Sequence, residues 1–131
     1  MIIAIPDDYH GVVPQLACFS RLSGHEVRVF RDASPPAATL VKNLREASVI
    51  IPVRERTRFT RDIIAALPNL KLFSQTGRST RHIDIAACTE HGIAVTAGTH
   101  ASPHTVAEHT WALVLSRSEE HTSEVQSQFR I

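Results

Sequence analysis

Residues 48–53 read Ser-Val-Ile-Ile-Pro-Val. After the serine the run is wholly apolar, and its length is typical of a strand that is buried on both faces of a sheet. Four more strand-like runs, at residues 2–5, 26–30, 71–75 and 93–96, alternate with segments of helical period. Strands separated by helices form right-handed βαβ units, so the sequence predicts an α/β fold with a doubly wound parallel five-stranded sheet.

The intervening segments predict helices that cover this sheet. Proline, glycine and cap residues mark the ends of these helices. Thr60 is one expected N-cap, and either Thr80 or Asp84 is another. The predicted helices lie at residues 12–22, at residues 37–46, at residues 60–67, at residues 84–91 and at residues 106–115.

Length and charge limit the classes of function. The chain has 131 residues, 43% of them hydrophobic, and its 14 basic and 13 acidic residues leave a net charge of +1. This balance gives no electrostatic reason to expect a nucleic-acid or membrane-surface partner. Two cysteines, Cys18 and Cys88, are too few for a disulfide framework, and no run is long enough to span a membrane. We therefore expect one globular domain in the cytoplasm.

Ligands of doubly wound sheets bind outside the carboxyl ends of the strands, which directs attention to the segments that follow them. Arg54 follows the most apolar strand, where its guanidinium could clamp a carboxylate or phosphate. Gly77, Arg78 and Ser79 follow the next strand, and their backbone N–H groups could form an anion-binding nest. The alternatives are a solvated arginine paired with an acid and an ordinary turn before a helix.

Other chemistries find less support in the sequence. Asp7 and Asp8 follow the first strand, as the acidic residues of phosphoacceptor receiver domains do, but no aspartate follows the third strand and no lysine the fifth. The chain contains no GxGxxG motif and no spacing typical of a metal site. We predict no catalytic, cofactor-binding or metal-binding residue within this chain.

Four blocks of sequence resemble one family in order and interval. They are residues 69–77 (NLKLFSQTG), residues 82–84 (HID), residues 86–95 (AACTEHGIAV) and residues 106–110 (VAEHT), and Val53-Arg54 followed by Thr57 matches a further short segment. Over residues 1–116 the chain resembles the D-isomer-specific 2-hydroxyacid dehydrogenases, which include phosphoglycerate dehydrogenase. The resemblance implies an incomplete, flavodoxin-like substrate domain of an oxidoreductase.

The resemblance also assigns roles to residues. Arg54 would contact the acidic group of a small 2-hydroxy or 2-keto acid, and Gly77, Arg78 and Ser79 would hold its carboxylate. The catalytic residues and the NAD site of this family lie in an inserted Rossmann domain, so the resemblance implies a homodimeric parent enzyme that uses NAD and a fragment that is inactive alone. A non-enzymatic flavodoxin-like or receiver-like binding module is the alternative.

The last 15 residues, 117–131, differ in character from the preceding helix. They are polar, and the run Arg-Ser-Glu-Glu-His-Thr-Ser-Glu resembles the translation of a common sequencing-adapter oligonucleotide. We therefore expect residues 1–116 to be the domain and residues 117–131 to be a non-native tail.

Overall fold

The computed structural model of the chain describes residues 1–32, 34–98 and 103–128, and within the last range it describes the side chains of residues 104–116. The chain divides into two compact units, Met1–Thr99 and His100–Ile131. The first unit holds the sheet and the predicted site, and the second is a helix.

Strands and helices alternate along the first unit as the sequence predicts. In order, its elements are β1 (Ile2–Ile5), two short 3₁₀ segments (Val13–Gln15 and Ala17–Leu22), β2 (Glu26–Val29), α1 (Ala37–Leu44), β3 (Val49–Ile50), α2 (Arg61–Ala65), β4 (Leu72–Gln75), α3 (Ile85–Glu90) and β5 (Ala94–Ala97).

All strand pairs in the described part of the chain are parallel, and the strand order is β2-β1-β3-β4-β5. This is the flavodoxin-like order, in which the two halves of the sheet are wound in opposite directions from β1. The predicted α/β fold with a five-stranded parallel sheet is therefore confirmed. Because β3 lies between β1 and β4, the segments that follow these three strands meet at one edge.

Two elements differ from their predictions. The segment predicted as a helix at residues 12–22 instead forms 3₁₀ turns that are interrupted at Leu16, where the backbone is extended. The strand predicted at residues 48–53 is regular only over Val49–Ile50, although the N–H groups of Ile51 and Val53 still donate to the carbonyls of Ala4 and Pro6; Pro52 has no N–H to donate.

The two faces of the sheet are covered differently. One face packs against α1, α2 and α3 around a large cluster in which the rings of Phe59 and Phe73 meet edge to face, with centroids 4.8 Å apart. The other face carries Ile3, Ile5 and Val49 and is covered by the 3₁₀ segments through Phe19 and Leu22. The larger cluster supplies most of the apolar burial that stabilises the sheet.

The second unit contains α4, Pro103–Gln128. Its apolar side chains Val106, Trp111, Leu113 and Val114 are exposed. The helix continues past residue 116, and residues 129–131 lie outside the described range. The division into a domain at residues 1–116 and a tail at residues 117–131 stays a prediction. None of the helices described here combines the length and the apolar character that crossing a bilayer requires.

Candidate substrate-binding site

Arg54 and the Gly77 loop lie at the same edge of the sheet. Arg54 follows β3 and Gly77 follows β4, and these strands are parallel neighbours. The Thr76 hydroxyl donates a hydrogen bond to the Pro52 carbonyl at 3.0 Å, which ties the two segments together. Both segments therefore follow neighbouring parallel strands, and their assignment to one substrate site stays a prediction.

Arg54 has an unusual backbone. Its φ of 68° lies in the left-handed region, which an L-residue other than glycine occupies at a cost of about 1–2 kcal/mol. Its side chain borders a pocket of about 330 Å³, together with Asp7, Tyr9, Val53 and Thr76. Strained backbone at non-glycine positions is concentrated at functional sites, so this conformation identifies Arg54 as a candidate binding residue.

The loop after β4 leaves polar backbone groups without partners. Within the described residues, the N–H groups of Gly77, Arg78 and Ser79 donate no hydrogen bond, whereas the Gly77 carbonyl accepts one from the Gly98 N–H at 3.0 Å. A side chain at Gly98 would come within 3.2 Å of the Thr76 carbonyl, so glycine allows this close approach. Three consecutive unused donors are the arrangement expected of an anion-binding loop.

The site residues do not all face one pocket. Arg54 borders the pocket beside Thr76, whereas Arg78 and Ser79 border a separate shallow depression with Glu55, Thr80 and Arg81. The predicted residues thus follow neighbouring strands, but Arg54 lines one depression and Arg78 and Ser79 line another.

Asp7 and Asp8 have structural partners at the end of β1. The carboxylate of Asp8 accepts hydrogen bonds from the N–H groups of Val12 and Val13, both at 3.0 Å. Oδ1 of Asp7 accepts from the Ser34 N–H at 3.2 Å and from the Thr57 hydroxyl at 3.0 Å. The receiver-like interpretation requires free carboxylates for magnesium, and these bonds occupy three of the four oxygens.

Two polar side chains, Gln75 and His82, are buried next to this loop in sequence, and sequence reasoning missed their burial. Gln75 is 4% exposed and His82 is 7% exposed, and neither side chain has a hydrogen-bond partner among the described residues. The His82 ring lies 6.3 Å from that of Phe59, while Gln75 follows Phe73 on the same face of β4. Burial lowers the pKa of His82, and the negative charges of Glu55 and Asp7 partly oppose this shift by raising it.

Acid is expected to destabilise the fold through His82. The unfolded chain binds a proton near the ordinary pKa of 6.5, whereas the buried ring resists protonation, so stability falls as pH drops below about 6.5 towards the folded-state pKa. The loss of unfolding free energy between pH 7.5 and pH 5.5, measured by guanidinium denaturation, should therefore be larger for the unaltered chain than for His82→Gln. His25→Gln changes an exposed histidine and should keep the full loss. An equal loss in the His82→Gln chain would contradict the expectation.

The strand order defines a parallel sheet of flavodoxin-like topology, and comparison with known proteins identifies its family. The sequence model for the catalytic domain of the D-isomer specific 2-hydroxyacid dehydrogenases matches residues 10–131. The chain belongs to this family, and the resemblance found in the sequence is confirmed.

Three relatives illustrate the match. D-3-phosphoglycerate dehydrogenase of Methanocaldococcus jannaschii is 38% identical over 77 residues, which are 59% of this chain and 14% of that protein. The structure of phosphoglycerate oxidoreductase from Vibrio cholerae matches with a TM-score of 0.79 and 43% identity over 88% of this chain and 36% of its own. The NAD complex of NAD-dependent formate dehydrogenase from Staphylococcus aureus gives 0.70 and 28%, covering 97% and 41%. The chain thus spans less than half of each relative.

Proposed function

We propose that this chain is the part of an NAD-dependent D-2-hydroxyacid dehydrogenase that binds the carboxylate of the substrate. The whole enzyme would interconvert a 2-hydroxy acid and a 2-keto acid. The observation that carries the proposal is the left-handed backbone of Arg54, whose side chain borders a pocket beside Thr76. The unused N–H groups of Gly77, Arg78 and Ser79, on the neighbouring strand's loop, supply further support.

Each group has a distinct role in this proposal. The Arg54 guanidinium supplies a full positive charge and a planar pair of donors that suits a carboxylate. The loop N–H groups add neutral donors fixed by the backbone, which orient the acid without the entropic cost of ordering a long side chain. Together they would hold the acidic end of the substrate and leave its C2 carbon facing away from the sheet edge.

NAD would supply the hydride acceptor and donor of the whole enzyme, but the residues of this chain do not fit a dinucleotide. A pyrophosphate needs a glycine-rich turn after a first strand, and here β1 is followed by Pro6, Asp7 and Asp8, with both aspartates buried. We therefore assign NAD binding and acid–base chemistry to a remainder of the enzyme, and expect no turnover from this chain alone. The cytoplasmic location and the homodimer remain predictions from sequence.

Replacing Arg54 tests the proposal. We expect Arg54→Gln to weaken the binding of pyruvate about tenfold, since a hydrogen bond to a charged group contributes about 1.5–3 kcal/mol. A titration of the isotope-labelled chain followed by amide NMR should show the largest shifts at Gly77, Arg78 and Ser79. Glutamine experiences a similar backbone strain at this position, so the comparison isolates the charge.

Arg45→Gln provides the matched control. Arg45 is also exposed, but it ends α1 just before β3 begins, at the opposite edge of the sheet. Its replacement removes one positive charge from the chain and should leave pyruvate affinity unchanged. If Arg54→Gln and Arg45→Gln weakened pyruvate binding equally, the change in net charge alone would explain the effect of the Arg54 variant. Shifts spread away from residues 77–79 would also refute the assignment.

A further inference from the structure

Three residues other than glycine adopt the left-handed backbone within the described part of the chain. They are Asp7, with a φ of 67°, Ser34, with a φ of 47°, and Arg54, with a φ of 68°. They lie in the segments after β1, β2 and β3, which are neighbours in the sheet. Such conformations persist only where the surrounding structure imposes them. The contacts among these segments therefore show what holds Arg54 in its conformation.

The carboxylate of Asp7 connects the three segments. Its Oδ1 atom accepts hydrogen bonds from the Ser34 N–H at 3.2 Å and from the Thr57 hydroxyl at 3.0 Å. Asp7 and Thr57 are both buried, and Thr57 lies three residues after Arg54. A buried hydroxyl and a buried carboxylate each need a partner, so their hydrogen bond fixes the loop after β3 against the loop after β1.

The backbone around Arg54 is held at two further points. The residue before it, Val53, donates its N–H to the Pro6 carbonyl at 3.3 Å. The second residue after it, Arg56, accepts at its carbonyl from the Ser34 hydroxyl at 3.3 Å. The loops after β1 and β2 thus hold the main chain on both sides of Arg54, whereas the side chain of Arg54 is exposed.

We propose that Asp7 and Thr57 are positioning residues, whose hydrogen bond holds Arg54 in the left-handed conformation that presents its guanidinium to the acid. This inference rests on the proposed function, in which Arg54 binds the substrate carboxylate. Neither Asp7 nor Thr57 would touch the acid. Their bond would offset the strain at Arg54 before the acid arrives, so that binding requires no rearrangement of the loop.

Replacing Thr57 in the full chain tests the positioning role. Thr57→Val removes the hydroxyl but changes no charge, so an effect on anion binding cannot come from net charge. Without the bond, Arg54 would relax to a common backbone conformation in part of the population, and we expect the dissociation constant for pyruvate to rise about fivefold. Thr57→Ser keeps the hydroxyl and should restore the affinity. Ile64→Val shortens a buried side chain of α2, and it should lower stability without changing affinity.

The nuclear Overhauser effect between the amide hydrogen and the Hα of Arg54 gives a readout that needs no ligand. These hydrogens lie closer together at positive φ than in helices or strands, so the effect is strong in the left-handed region. It should weaken in Thr57→Val and stay strong in Thr57→Ser. If Thr57→Val does not fold, Ser34→Gly takes its place, because Ser34 is exposed and glycine adopts its backbone without strain. Loss of the Ser34 hydroxyl should weaken the same effect and raise the dissociation constant about twofold.

A double variant shows whether the effect passes through Arg54. In the Arg54→Gln chain, adding Thr57→Val should cause no further loss of pyruvate affinity, because the guanidinium is already absent. A further loss of the same size there would overturn the positioning role and leave the proposed function standing. Unchanged affinity and an unchanged Overhauser effect in Thr57→Val would do the same, since Thr57 would then serve stability alone. Failure of the unaltered chain to bind pyruvate would instead overturn the proposed function, and this inference with it.

Discussion

Phe73→Ala is expected to lower the free energy of unfolding by about 3–5 kcal/mol, the usual cost of truncating a buried aromatic residue. Phe73 is 0% exposed and lies in β4, paired with Ile50 on one side and Val95 on the other. Its ring also meets that of Phe59 edge to face, a contact that adds about 0.5–1.5 kcal/mol beyond the area buried. Domains of this size are stable by about 5–15 kcal/mol, so the variant would lose a large share of its stability.

Guanidinium denaturation followed by circular dichroism measures this effect. Phe73→Leu keeps an apolar side chain of similar reach and should cost about 1.5 kcal/mol or less. If the alanine variant does not fold at all, that failure is itself a loss of stability in the expected direction. The leucine variant then still gives a measurable free energy of unfolding to compare with the unaltered chain. If the alanine variant were as stable as the leucine variant, the Phe59–Phe73 cluster would not be the centre of the core.

Asp7→Ala is expected to cost about 3 kcal/mol, from two separate causes. The Ser34 N–H and the buried Thr57 hydroxyl would lose their acceptor, and an unsatisfied buried group costs about 1–3 kcal/mol. Alanine would also have to adopt the φ of 67° found at Asp7, which costs about 1–2 kcal/mol.

Two further variants separate these causes. Asp7→Asn keeps an acceptor for both donors and tolerates the left-handed backbone, so its stability should lie close to that of the unaltered chain. Asp7→Gly removes the acceptor, but glycine adopts this backbone without strain. The stability of this variant should therefore lie between those of the alanine and asparagine variants. If the three variants were equally stable, neither the hydrogen bonds nor the backbone would explain why Asp7 is buried at this position.

Local sequence patterns determine much of the sheet. Residues 2–5 were predicted as a strand and form β1 over the same residues, because apolar β-branched side chains there face the core on both sides. Asp84 caps α3 as one of the two predicted alternatives. Thr60 occupies the N-cap of α2, but its side chain forms no capping hydrogen bond.

The candidate site was predicted only in part, and the reason is physical. Arg54 and Gly77 could be found because both follow strands, and the ends of parallel strands converge. The left-handed backbone of Arg54 has no signature in a single sequence, since arginine is not a residue that favours it. The burial of Gln75 and His82 depends on which face of β4 packs against Phe59, and local patterns do not contain this tertiary relation.

At the position of Arg54, selection for stability and selection for acid binding would favour different residues. Glycine would adopt this conformation without strain, so variants enriched purely for heat tolerance would tend to lose the arginine there. Selection for acid binding would retain the arginine, at a cost in thermal stability. The residue found at this position in an evolved library would therefore report which of the two pressures had governed its history.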